Sequence, residues 1–220
     1  MFVIFNSNRS FAQQNLFNVP SAEITKQKQI FVQQQFNFLA TATSNTTIDY
    51  GLGNNWEIGI NVFNVDLYSQ QNQWNNPLFL LNFQKSFELT SFWKIGIGSQ
   101  SGPTLPVYDS KVQLASFNYL NNALDLGGWG KYFLGVYYAN QGYVGNGTNV
   151  NLMAGIELPT PIDTVHFMAD YIGGNNAIGA AVIGLVWQAT AQWQLSLGAQ
   201  VPTPESASHE YGIVVEITHL

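Results

Sequence analysis

The stretch NVNLMAGIEL, residues 149–158, decides the fold of this chain. Apolar side chains at positions 150, 152, 154, 156 and 158 alternate with Asn151, Met153, Gly155 and Glu157. Successive side chains of a β-strand point to opposite faces. The stretch therefore predicts a strand with one continuous apolar face and one mixed, more polar face.

The same alternation recurs in four further stretches. Their apolar members are Trp56, Ile58, Ile60 and Val62, then Val165, Phe167, Ala169 and Tyr171, then Trp193, Leu195, Leu197 and Ala199, and finally Tyr211, Ile213, Val215 and Ile217. A water-soluble sandwich would bury this apolar face and charge the opposite face heavily. Here the opposite face is mostly small or uncharged, which argues against a soluble sandwich.

The composition points to a membrane. Only 9% of the residues are charged, against roughly a quarter in ordinary soluble domains. No run reaches the length of about twenty apolar residues that a spanning helix needs. A closed barrel is the other arrangement that satisfies every backbone hydrogen bond in lipid. We therefore expect an all-β fold, a single antiparallel transmembrane β-barrel.

About twelve strands are expected, with a range of about ten to fourteen. They are placed at 28–41, 45–52, 54–65, 77–90, 92–101, 112–125, 129–141, 148–158, 163–173, 177–190, 192–202 and 209–220. Short Gly, Asn or Pro turns alternate with longer connections at 66–76 and 102–111, as expected when the two barrel rims face different compartments. The barrel would occupy 27–220 and leave no room for a second domain or a large plug.

The N-terminus divides into two short regions. Residues 1–12 resemble the remnant of a secretory signal, with an apolar stretch at 2–5 and small residues before a cleavage point after Ala12. The apolar stretch is short and Arg9 lies on its wrong side, so an ordinary flexible N-terminus is the alternative. Residues 13–26 read as a polar N-terminal lead-in.

Several function classes are disfavoured. The net charge is −6 and Arg9 is the sole arginine, whereas binding to nucleic acid needs clustered basic residues. There is no cysteine, which excludes disulfides and thiolate chemistry. His166 and Asp170 lie about 13 Å apart along a strand, too far to chelate one metal ion. No cofactor or metal site is expected.

An enzyme is not expected either. A membrane-embedded hydrolase would need a serine within reach of a histidine, and its candidates here are His166 and the run Ser208-His209-Glu210. Adjacent strand residues face opposite ways, so Ser208 and His209 form a poor catalytic pair.

The face opposite the apolar one carries the ionisable residues. A Lys or Arg on the lipid face costs about 2–4 kcal/mol at the membrane midplane, so these groups are expected to point inward. The lumen-lining candidates are Glu57, Lys94, Glu157, His166, Asp170 and Glu216. Together these six residues would make the lumen polar and net acidic, which favours the passage of cations or neutral polar solutes. Alternatively, these groups pair with one another and pack the interior closed.

Aromatic residues near the strand ends are typical of the girdles that mark the two membrane interfaces. The candidates are Trp56, Trp93, Trp129, Tyr132, Tyr171, Trp193 and Tyr211. The alternative is that these rings belong to the core of a soluble sandwich, since aromatics are common in any β fold.

Three segments, 19–23, 49–59 and 169–179, resemble small bacterial outer-membrane β-barrels of the porin or transporter type. The middle one, DYGLGNNWEIG, has the sequence of a barrel hairpin. The resemblance implies a location in the bacterial outer membrane, contact with membrane lipid, and passive transport of small solutes. One departure is that the chain finishes on Leu220, where such barrels usually finish on Phe or Trp.

The leading functional expectation is thus a passive pore for small solutes. A closed structural or scaffold barrel without conductance shares the same sequence features, and a lipid hydrolase is the third class. A homo-oligomer or an envelope protein partner is compatible with each of them.

Overall fold

The structure, a computed structural model, describes residues 15–69, 74–204, 206 and 210–220. Twelve antiparallel strands form a closed barrel, in which each strand pairs with its neighbours in sequence and β1 closes the barrel against β12. Phe38 pairs with Ile213 and Val32 with His219 at this closure. The predicted fold class and the predicted strand number are both confirmed.

The strands are β1 (Ile30–Phe38), β2 (Thr41–Gly53), β3 (Trp56–Ser69), β4 (Leu78–Thr90), β5 (Trp93–Pro103), β6 (Leu114–Asp125), β7 (Lys131–Ala139), β8 (Val150–Pro159), β9 (Val165–Ile172), β10 (Ala180–Gln188), β11 (Trp193–Pro202) and β12 (Gly212–His219). One helical turn, α1 (Gln141–Val144), and one 3-10 turn at Gly127–Trp129 lie between strands. Within the described residues, none of the helices has the length and hydropathy needed to cross a membrane.

The two faces of each strand differ in exposure, because successive side chains point alternately outward and inward. In β8, Val150 and Leu152 are 64% and 57% exposed, whereas Met153 is fully buried and Glu157 nearly so. Every apolar stretch identified in the sequence lies on the outer wall, and its partner face lies inside. Apolar side chains thus cover most of the outside of the barrel.

The two ends of the barrel differ in their connections. One end, the turn rim, carries connections of two to five residues and the start of β1. At its β2–β3 turn, Asn54 and Asn55 have φ of 51° and 60°, the left-handed pair that a tight hairpin turn needs and that Asn tolerates. The other end, the loop rim, carries connections of up to ten residues.

The first hairpin differs from the prediction. The turn lies at residues 39–40, and β2 already begins at Thr41, four residues earlier than expected. Leu39 and Ala40 are poor turn formers, whereas Thr suits a strand, so the sequence placed the boundary too late. A β-bulge accompanies the shift, with Asn64 of β3 at φ 58°.

Candidate functional site in the barrel lumen

Residues 15–29 are called the luminal segment, of which residues 15–25 lie inside the barrel and residues 26–29 are exposed at the turn rim. The segment joins β1 at the turn rim, where Lys28 N–H donates to the Gly51 carbonyl at 2.9 Å. From there it runs inward, and Leu16, Phe17 and Val19 are at most 2% exposed. The region predicted as a polar lead-in therefore occupies the lumen from residue 15 to residue 25.

One side of the lumen is apolar and holds the apolar side chains of the segment. Leu16, Phe17, Val19 and Ala22 belong to a single buried cluster with side chains of β6 to β10 and β12. The wall members are Phe117, Tyr119, Ala123, Phe133, Tyr137, Ala139, Met153, Met168, Ile172, Val182, Val186 and Val214. Full burial of a Leu, Phe or Val side chain contributes about 1.5–3 kcal/mol, so this contact is a substantial anchor.

Inner-wall glycines make room for this packing. A Cβ built on Gly96 would lie 2.9 Å from the Cα of Ala22, and one built on Gly155 would lie 2.6 Å from a methyl of Leu16. Real Cβ atoms do not approach other atoms so closely. The backbone of the luminal segment therefore requires the absence of a side chain at Gly96, whereas a side chain at Gly155 would require Leu16 to shift.

Polar inner-wall side chains of β4 and β6 bind the backbone of the segment. Ser86 Oγ donates to the Ala22 carbonyl at 2.7 Å. Gln84 Nε2 donates to the carbonyls of Ser21 and Glu23 at 3.0 and 3.2 Å, and the Asn121 amide donates to the Pro20 carbonyl. These bonds satisfy buried carbonyls that would otherwise lack donors.

Two of the predicted lumen-lining carboxylates bind backbone N–H groups of the segment. Asp170 Oδ2 accepts from Asn18 N–H at 2.5 Å and from Val19 N–H at 3.0 Å. Glu57, 2% exposed, accepts from Thr25 N–H at 2.6 Å. Hydrogen bonds to an ionised acceptor are stronger than neutral ones, so these two residues hold the segment at both ends.

The predicted basic residues form ion pairs near the turn rim. Lys94 Nζ lies 2.7 Å from Glu23 Oε2 in the segment and 4.0 Å from Glu88 Oε1. Glu157 lies 2.6 Å from His166 Nδ1 and 3.8 Å from Lys131 Nζ. The structure thus brings Glu157 and His166 together and places Lys94 against a residue that the sequence assigned to the lead-in.

Glu216 is the exception among the predicted lumen residues. It is fully buried, and neither carboxylate oxygen has a well-formed hydrogen bond in the described part of the chain, although the Ser196 side chain interacts with it. The polar group opposite it in register is Ser196 of β11. No ion pair of Glu216 is found among the described residues.

Asp49 is a buried inner-wall carboxylate that the sequence analysis missed. It is 2% exposed and accepts from Asn82 Nδ2 at 2.8 Å. The alternation of Ile48 and Tyr50 around it, both on the outer wall, is a signal that could have found it.

Two separate cavities flank the middle of the luminal segment. The vestibule, of about 390 Å³, opens at the loop rim and has Asn15, Phe17, Asn18 and Pro20 in its lining. The lower chamber, of about 560 Å³, lies at the turn rim against residues 23–27. The two share no lining residue, since residues 21 and 22 lie between them. Near the vestibule, burial raises the pKa of the Glu210 carboxyl and of the Tyr143 hydroxyl.

The aromatic residues expected at membrane interfaces lie at strand ends. Trp56, Trp93, Tyr132 and Trp193 each begin or nearly begin a strand at the turn rim, and Trp129 lies in the 3-10 turn there. Tyr171 and Tyr211 lie at the loop rim. Trp129 and Tyr211 are 79% and 71% exposed, so these rings are directed away from the lumen.

Some expectations fall on residues outside the described part of the chain. These are the signal remnant at 1–12 and the pair Ser208 and His209. In the ranges that the structure does describe, no group of three or more His, Cys, Asp or Glu residues could hold a metal ion.

No protein-family model and no curated protein sequence matches the chain. Among solved structures, KdgM porin superimposes with a TM-score of 0.60 at 10% identity, covering 86% of this chain and 98% of that chain. KdgM porin in complex with disordered oligogalacturonate gives a TM-score of 0.60 at 9% identity with the same coverage. The chain is therefore similar in fold to a porin-type β-barrel.

Proposed function

We propose that the protein is a channel of the bacterial outer membrane for small polar solutes, and that the luminal segment closes it in this conformation. The observation that carries the proposal is the closed twelve-stranded barrel with a mainly apolar outer wall. Such a wall suits lipid, and closure leaves no unpaired strand edge in the membrane. The likeness in fold to KdgM porin supports the same function.

The barrel is placed with its turn rim toward the periplasm, because outer-membrane barrels have short periplasmic turns and longer external loops. Trp56, Trp93, Trp129, Tyr132 and Trp193 would then form the periplasmic aromatic girdle, with Tyr171 and Tyr211 at the external interface. The luminal segment enters from the periplasmic side in this orientation.

The proposed passage prefers cations and neutral solutes. When the segment is displaced, Asp170 loses the Asn18 and Val19 N–H donors and faces the passage with Glu216. Lys131 and His166 stay paired with Glu157. Carboxylates without basic partners bias a pore toward cations. The oligogalacturonate bound by one KdgM porin structure is a polyanion, and such a molecule would be disfavoured here.

A closed structural barrel is the second candidate. The observation that favours it is that residues 21 and 22 separate the vestibule from the lower chamber. A barrel held in this state would anchor or scaffold a partner in the envelope and conduct nothing.

Single-channel recording of the refolded protein in a planar bilayer across a salt gradient separates the two candidates. Discrete steps with a reversal potential shifted toward that of the cation are expected for the channel. Correctly folded and inserted protein that stays silent, even when the luminal segment is displaced by substitution, would overturn the channel and favour the scaffold.

A further inference from the structure

The vestibule has the size and position of a binding site. Its volume of about 390 Å³ falls within the range of about 300–1,000 Å³ that is usual for small-molecule sites. It opens at the loop rim, and residues of the luminal segment line it. A solute that enters from the loop rim would stop there while the segment is in place.

The polar part of the lining consists mainly of carboxamides. Ten of its 26 described residues are Asn or Gln, and three more are Thr. Each carboxamide has two N–H donors and an oxygen with two lone pairs, so it can donate and accept at once. A sugar hydroxyl also does both. A wall of carboxamides therefore matches a molecule that presents many neighbouring hydroxyl groups.

Part of this hydrogen-bonding capacity is unused. Gln33 is 5% exposed, and its Oε1 accepts from Asn15 Nδ2 at 3.3 Å. Its Nε2 has no partner among the described residues. Asp66, 6% exposed, accepts from Asn75 N–H through Oδ2, but its Oδ1 has no described partner. A buried polar atom without a partner is costly, so both atoms favour a ligand with hydroxyl groups.

The apolar part of the lining suits the same ligand. Phe117 stacks on Tyr143 with ring centroids 5.1 Å apart, and both line the vestibule together with Phe63. Aromatic rings offer flat apolar surface, which complements the C–H face of a sugar ring.

The charges of the described lining disfavour an acidic ligand. Asp66 and Glu210 are the charged residues among those described in the lining, and the same set contains no Lys, Arg or His. A carboxylated or phosphorylated ligand would meet like charge without a compensating cation. We propose that the vestibule binds a short, uncharged saccharide. This inference rests on the proposed function, since it names the class of solute that the channel admits.

Isothermal titration of the full chain in detergent tests the proposal, with maltotriose, cellotriose and xylotriose as neutral probes and an oligouronate of the same length as the acidic probe. Binding of at least one neutral trisaccharide is expected, with the oligouronate at least tenfold weaker. Failure of all three neutral probes, or tighter binding of the oligouronate, would overturn the proposal.

A matched pair of variants locates the site. Gln33→Leu should weaken binding at least tenfold. Gln34→Leu should leave it unchanged, because Gln34 lies on the outer wall, where its Oε1 accepts from Thr46 Oγ1 at 2.6 Å. Equal affinity of the two variants would contradict the assignment.

The two proposals fail separately. Saccharide binding by a protein that never conducts would overturn the channel and keep the binding site. Conductance without binding of any neutral probe would keep the channel and overturn the saccharide.

Discussion

Gly96 of β5 and Ala22 of the luminal segment are in such close contact that a Cβ on Gly96 would lie 2.9 Å from the Cα of Ala22. The contact joins a wall position to a backbone position, so a flexible side chain cannot relieve an added methyl group. The size of the side chain at position 96 therefore controls whether the segment fits into the lumen.

Displacement of the segment can be measured with a single introduced thiol. The chain has no cysteine, and Ala22 is fully buried, so Ala22→Cys should react slowly with a water-soluble maleimide. Adding Gly96→Val should speed the reaction about 10- to 100-fold, because overpacking costs about 1–3 kcal/mol. Gly128→Val, in an open turn with no atom within 4 Å of its Cβ, is the control. Equal rates in all three proteins would show that the segment does not depend on Gly96.

Glu216→Gln should stabilise the barrel by about 1–3 kcal/mol, because it removes a fully buried carboxylate that has no ion pair among the described residues. Glu157→Gln is the matched comparison. It should destabilise by a similar amount, since it removes the carboxylate that lies 2.6 Å from His166 Nδ1 and 3.8 Å from Lys131 Nζ. Urea titration in detergent at pH 7 measures both. A loss of stability in Glu216→Gln would indicate that its carboxylate is compensated after all.

If the outer wall faces lipid, the energetic cost of placing a lysine on it should depend on the depth of that position in the membrane. Leu197 lies mid-strand on the outer wall and is 58% exposed, so Leu197→Lys should cost about 2–4 kcal/mol. Tyr211→Lys at the loop rim should cost at most about 1 kcal/mol. The free energy of folding into lipid vesicles gives both values, and a soluble barrel would tolerate the two substitutions equally.

Neutralising Glu157 and Asp170 together should lower the cation preference of the open channel. The acidic charge of the passage decreases, and Lys131 loses the Glu157 carboxylate that lies 3.8 Å from its Nζ. Asp163→Asn, in an exposed connection at the turn rim, should change nothing. Reversal potentials that stay the same in the double variant would contradict an acidic passage.

The barrel could be predicted because the alternation of apolar and polar residues can be read within each strand, without knowledge of the strand that pairs with it. Alternation at 150–158 assigns each side chain to a face whichever strand pairs with it. The low charge then indicates which face is expected to meet lipid, and the inner position of Glu57, Glu157 and Asp170 follows. The first turn was misplaced because Leu39 and Ala40 carry no turn signal.

The luminal segment could not be predicted in the same way. It has no alternation, and its polar contacts with the wall are made largely through backbone groups, as in the bonds from Gln84 and Ser86. Backbone groups are the same in every sequence, so the partners leave no local pattern. Leu16, Phe17 and Val19, three apolar residues in a region expected to be a polar lead-in, were the available hint.

The most direct test of the central claim is single-channel recording of the unaltered chain beside Gly96→Val and Gly128→Val under one salt gradient. A closing segment predicts rare or small steps for the unaltered chain and for Gly128→Val. Frequent, larger and cation-selective steps are expected for Gly96→Val. If all three inserted proteins conduct equally, the segment does not close the passage, and if all three stay silent, the barrel is not a channel.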